Sequence, residues 1–147
     1  MKLLYLNQSR DAVSAKWLER WVKAFSRLLV KHRHRGLGRK ELVVVFVNSS
    51  EMRKMNRQYR QKDYATDILS FEPAEESSVG ELVLCLPVIR SQAKRSGLSE
   101  RGELGYMIVH GVLHLLGYDH GDRKNELEMF ALQDELFARL EKSVGLR

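Results

Sequence analysis

The sequence predicts one α/β or α+β domain, with a mostly parallel sheet layered by helices. Three observations carry this. Residues 42–47 form an unbroken, mostly β-branched apolar run, typical of a central strand buried on both faces. Helical-period segments are interleaved with strand-like runs rather than grouped apart from them. The 147 residues, 44% of them hydrophobic, suit a single domain with a sizeable core spanning 1–147. Four strands and five helices are expected.

The elements follow in order. Met1-Lys2-Leu3-Leu4-Tyr5-Leu6-Asn7 turns polar too soon for a targeting segment and reads as the first strand. Val13, Trp17, Trp21 and Phe25 recur every four residues, with Leu18 and Leu28 beside them, which makes an amphipathic helix of roughly five turns. It runs into Lys31-His32-Arg33-His34-Arg35-Gly36. Cations there suit the helix dipole, and Gly36 offers a stop. His32 and His34 have ligand chemistry, but a solvated basic helix end is the better reading. The cluster can also meet RNA phosphate.

After the central strand, Asn48 and Glu51 resemble a capping pair that opens a helix running to about Tyr59. Residues 68–71 and 81–86 are two further strands, separated by the acidic polar loop 72–78. Cys85 is read as a small apolar strand residue. Pro87 suits the first turn of a helix reaching about Arg95. Gly97-Leu98-Ser99 separates it from the next helix, which Ser99 caps and which carries His110 and His114. A last helix, from about Arg123 to Lys142, is expected to bury Met129, Leu132, Leu136 and Leu140.

The formal charge of +6 favours a polyanionic partner, nucleic acid first. The sequence pI is about 9.6. One cysteine excludes an internal disulfide and is compatible with a cytoplasmic protein. No apolar run approaches the length of a membrane span.

The chemistry concentrates in His110-Gly111-Val112-Leu113-His114-Leu115-Leu116-Gly117-Tyr118-Asp119-His120. His110 and His114 lie one helical turn apart, so their imidazoles share a face. Gly117 can take the left-handed conformation that ends a helix, letting the chain return His120 toward the pair. Three neutral imidazoles suit one zinc ion, with a fourth position left for water or substrate, the arrangement of a catalytic site. The bland alternative is a histidine-bearing core helix with a polar exit loop. The spacing equals that of the protease motif H-E-x-x-H-x-x-G-x-x-H, whose Glu is the general base. Gly111 occupies that Glu position, so the ligand pattern is kept while the peptidase base is gone.

A second constellation spans residues 56–71, where Arg57, Arg60 and Lys62 can hold phosphate. Tyr59 and Tyr64 can stack on unpaired bases. The same residues equally fit a solvated helix end followed by a turn. Asp67 and Asp119 are candidate general bases, though each can instead orient a histidine.

Together these segments resemble the YbeY family of bacterial metal-dependent endoribonucleases. That family carries Y-R-x-K-D-x-P-T-D-V-L-S-F, then L-G-D-I, then H-G-x-L-H-L-x-G-Y-D-H. Here the matching residues run from Tyr59 to Phe71, from Val79 to Leu82, and through the histidine run. Residues 128–130 and 133–135 are similar to the family's last helix. The chain departs at Ala65, Glu72 and Glu81, where proline, proline and aspartate are usual. The resemblance implies an α+β layer fold with the metal helix beside a four-stranded mixed, mostly parallel sheet. It implies that Arg60 is the functional arginine, and that single-stranded RNA is cut during ribosomal RNA maturation at the 3′ end of the small-subunit rRNA. It also implies ribosome quality control, with the small subunit as partner. Two other classes stay open: a zinc metallopeptidase-like hydrolase with a base from elsewhere, and a ribosome-associated RNA-binding protein whose metal is structural.

Overall fold

The computed structural model describes residues 1–32, 34–118 and 121–145. Its framework is a sheet of β1 (Lys2–Asn7), β2 (Glu41–Phe46), β3 (Ile68–Phe71) and β4 (Ser78–Leu84) in the order β1-β2-β4-β3. β1 with β2 and β2 with β4 are parallel pairs, while β3 runs antiparallel to β4 at the edge. The sheet is therefore mixed and mostly parallel, as expected. The helices are α1 (Ala15–Lys31), α2 (Ser49–Arg60), α3 (Leu86–Ser96), α4 (Glu100–Leu115) and α5 (Arg123–Val144).

The run at 42–47 fills an inner strand because its side chains alternate between two cores. Leu42, Val44 and Phe46 join the large core, to which α1, α4 and α5 contribute. Val45 and Val47 join a smaller cluster with Met52 of α2. Three layers result, with α2 covering the opposite face from α4.

Two close approaches seat α4. A Cβ on Gly105 would fall 2.5 Å from the Trp21 ring of α1. One on Gly111 would fall 2.7 Å from both Ile68 Cδ1 and Leu82 Cδ2. Glycine at these positions lets the helix lie directly on α1 at one end and on β3 and β4 at the other. Gly80 has φ +131° beside a register shift where Glu41 pairs with Ser78 but Leu42 pairs with Gly80. The extra residue, Val79, is a β-bulge, and glycine accepts the backbone conformation there.

Several local expectations change. β4 begins at Ser78 rather than at residue 81, and it ends at Leu84, so Cys85 is the N-cap residue of α3. Asn48 caps α2 by position but makes no side-chain cap bond; its Oδ1 accepts from the Arg10 N–H and ties two loops together. α1 is capped by Ser14, whose Oγ accepts from the Trp17 N–H, and it stops at Lys31 before Gly36. Ser99 caps α4 as expected, accepting from the Gly102 N–H at 3.0 Å. In α5 the buried stripe is Met129, Gln133, Leu136 and Leu140, with Leu132 only packed against its margin. Among the described residues, no helix is long and apolar enough to cross a membrane.

Candidate nucleic-acid cleft

A cleft of about 540 Å³ lies between the C-terminal end of α2, the edge strand β3 and the second half of α4. Its lining includes Tyr59, Arg60, Asp67, Ser70, Phe71, Met107, His110, His114 and Leu115. Residues far apart in sequence meet there because each element ends at the cleft.

His110 and His114 both line it, half-buried, with ring centroids 4.6 Å apart. Their convergence follows from one-turn spacing on a helix whose adjoining face is locked against the sheet at Gly111. Behind the cleft, His110 Nδ1 lies 3.0 Å from Gln133 Oε1 of α5. The amide oxygen only accepts, so Nδ1 carries the proton and the ring lone pair belongs to Nε2. This donor set fits a metal. Among the described residues no group of three His, Cys, Asp or Glu forms a metal site. The predicted third ligand, His120, and its neighbour Asp119 lie outside the described residues.

The residues that precede them are braced. Tyr118 N–H donates to Leu113 O at the last turn of α4, and Gly117 takes φ +97°. The Tyr118 hydroxyl lies 3.0 Å from His34 Nε2. Burial, then the neighbouring His32, holds the His34 pKa below the usual histidine value. His34 is thus a packing partner of Tyr118 rather than a member of a fully solvated basic end.

Arg60 is the last residue of α2, exposed, and set by the turn after it. Gln61 adopts a left-handed conformation, φ 56°, to close the helix. The fully buried Asn56 donates from Nδ2 to the Tyr64 carbonyl at 2.8 Å, holding the following loop against α2. Tyr59 is 55% exposed yet packs edge-on against Phe71, so its ring is steadied at the rim. Arg57 and Lys62 are exposed but do not line this cleft; Arg57 lines a separate depression with Arg53 and Asp63.

Asp67 lines the cleft, but its carboxylate is engaged. Oδ1 accepts from the Ile68 N–H at 2.7 Å and from the Thr66 hydroxyl, and Oδ2 accepts from Gln92 Nε2 at 3.1 Å. These bonds fix the entry to β3.

Sequence reasoning overlooked Gln133 and Asn56. Gln133 left a signal: it is a polar residue on the i, i+4, i+7 stripe of an otherwise apolar helix face.

The chain resembles known proteins along its whole length. It is 42% identical over 150 residues to an endoribonuclease YbeY from Bdellovibrio bacteriovorus, covering all of both chains. It is 43% identical over 112 residues to the protein of that name from Geobacillus kaustophilus, covering 67% of this chain and 72% of the relative. The solution structure of a Thermotoga maritima protein superposes with a TM-score of 0.69 at 28% identity, covering 95% of this chain and 89% of that one. The model of the family described as endoribonuclease YbeY matches residues 4–141, and the chain belongs to that family.

Proposed function

We propose that this chain is a metal-dependent endoribonuclease that cuts single-stranded RNA. The observation that carries the reading is the meeting of Arg60 with His110 and His114 across one cleft. Family membership supports it, and so does the surplus of basic residues, which draws a polyanion to the surface.

In this reading His110, His114 and His120 hold one zinc ion. When bound, zinc supplies a Lewis acid toward a phosphodiester oxygen. Arg60 binds the phosphate, its planar fork matching two oxygens, and offsets charge that develops on them. Tyr59 offers an exposed ring to an unpaired base beside that phosphate, which favours single strands over duplexes. Arg57 and Lys62, outside the cleft, attract the flanking backbone. Asp67 keeps β3 in place, since both its oxygens already accept hydrogen bonds. The finer assignment is to ribosomal RNA in the cytoplasm: maturation of the 3′ end of small-subunit rRNA, and quality control of ribosomes. It rests on the motifs shared with the family.

A metallopeptidase is disfavoured by Gly111, which both lacks a base and packs on the sheet. The test is metal removal. The purified protein should cleave an unstructured RNA, lose that activity to a chelator, and regain it with Zn²⁺. Cleavage that persists in metal-depleted protein would overturn the reading.

A further inference from the structure

We propose that Gln133 is a positioning residue for the metal: it fixes the tautomer and orientation of His110, so that Nε2 presents its lone pair to the cleft. This inference rests on the zinc reading above.

The apolar stripe of α5 holds one polar side chain. α5 buries Met129, Gln133, Leu136 and Leu140 as one stripe, and Gln133 has no exposed surface at all. A buried amide in an apolar stripe is unfavourable unless it is hydrogen-bonded. Its Oε1 meets His110 Nδ1 at 3.0 Å, and Gln133, unlike His110, does not line the cleft. Its Nε2 makes no well-formed hydrogen bond among the described residues, though it lies near enough to the Tyr106 phenol to oppose the rise in that group's pKa. The amide is therefore committed through its oxygen to one histidine.

That commitment has a chemical consequence. A neutral imidazole ligates through the nitrogen without a proton, and the proton on the other nitrogen needs an acceptor. Without a partner behind the ring, the proton is free to sit on Nε2, and the ring is free to rotate. Acceptors of this kind also raise ligand basicity, and removing one weakens metal affinity about 10–100-fold. Gln133 supplies the acceptor from a different helix, so it couples the seating of α5 on α4 to the metal site. A purely space-filling residue at this position would be leucine, methionine or another apolar side chain, as at its neighbours along the stripe.

The test compares Zn²⁺ affinity, by chelator competition, in the full-length protein and in Gln133→Leu, Gln133→Glu and His110→Ala. Gln133→Leu should bind Zn²⁺ about 10–100-fold more weakly. Gln133→Glu, which keeps an acceptor, should match or exceed the original affinity. A second readout needs no variant: nitrogen-15 NMR of the metal-free protein at alkaline pH should show His110 protonated on Nδ1. His110 protonated on Nε2, or Gln133→Leu with undiminished Zn²⁺ affinity, would overturn the inference while leaving the zinc site standing. Undiminished affinity in His110→Ala would instead remove the zinc reading itself.

Discussion

Gly111 lies directly on Leu82: a Cβ at position 111 would approach Leu82 Cδ2 to 2.7 Å, and Ile68 Cδ1 as closely. The position that carries the general base in the related protease motif is here the contact between the histidine helix and the sheet. Glycine is thus a packing requirement as well as a chemical departure. Gly111→Ala should lower stability by about 1–3 kcal/mol, the usual cost of overpacking a tight core. Gly111→Glu should be worse, and it should gain no peptidase activity. Urea denaturation and a peptide-cleavage assay check both, and a stable, peptide-cleaving Gly111→Glu would reverse this account.

Arg60 ends α2 at the cleft with its side chain exposed. If it bears on the phosphate, Arg60→Ala should reduce RNA cleavage by about 10²–10³-fold, the range for losing one transition-state donor. Metal content and the melting curve should not change. Arg60→Lys should restore activity in part, because an ammonium lacks the planar fork. Full activity in Arg60→Ala would reduce the arginine to a helix-end charge.

Asn56 acts one step behind. Its side chain is buried, and its Nδ2 bond to Tyr64 O closes the loop after α2. Asn56→Ala should cost about 0.5–1.5 kcal/mol, the net contribution of the hydrogen bond lost to the Tyr64 carbonyl. It should also reduce cleavage without loss of zinc, since the loop that follows Arg60 loosens. Cleavage unchanged at full metal occupancy would separate this loop from the chemistry.

Glu103 gives the fold a pH dependence. Burial holds its carboxyl above the ordinary value; the Ser96 hydroxyl opposes this and Asp67 adds to it. The folded state therefore keeps a proton that the unfolded chain has already released. Stability from this group is present below the unfolded pKa and falls as pH rises through the higher folded one. Glu103→Gln should accordingly raise the melting temperature near neutral pH, with the gain vanishing in acid. An equal gain at both pH values would assign the effect to packing instead of ionisation.

Much of the fold was legible because it depends on periodicity. The run at 42–47 has to be an inner strand, since only there do both faces meet apolar layers. The four-residue spacing of Trp17, Trp21 and Phe25 has to be one helix face, although Val13, which shares the spacing, lies before the Ser14 cap and outside α1. The His110 and His114 pair was visible for the same reason, being one turn apart. Tertiary relationships were not legible. β4 starts before Glu81 because a bulge at Val79 and Gly80 lets the strand pair earlier, and a glycine in a strand hides that. Asn48 looked like a cap, yet its side chain bonds Arg10, 38 residues away. The His34 contact with Tyr118 joins residues 84 apart, so a local charge pattern could only suggest a solvated end. The Gln133 partnership escaped the sequence reading as well, although its polar side chain interrupts the apolar stripe of α5.

The central claim is that RNA cleavage belongs to the histidine cleft. It is tested most directly by comparing the protein with His114→Ala, purified in parallel, on an unstructured RNA and on a stable duplex. The account predicts cleavage of the single strand by the unaltered protein, sparing of the duplex, and loss of cleavage in His114→Ala. Equal cleavage of the single strand by both preparations would contradict it.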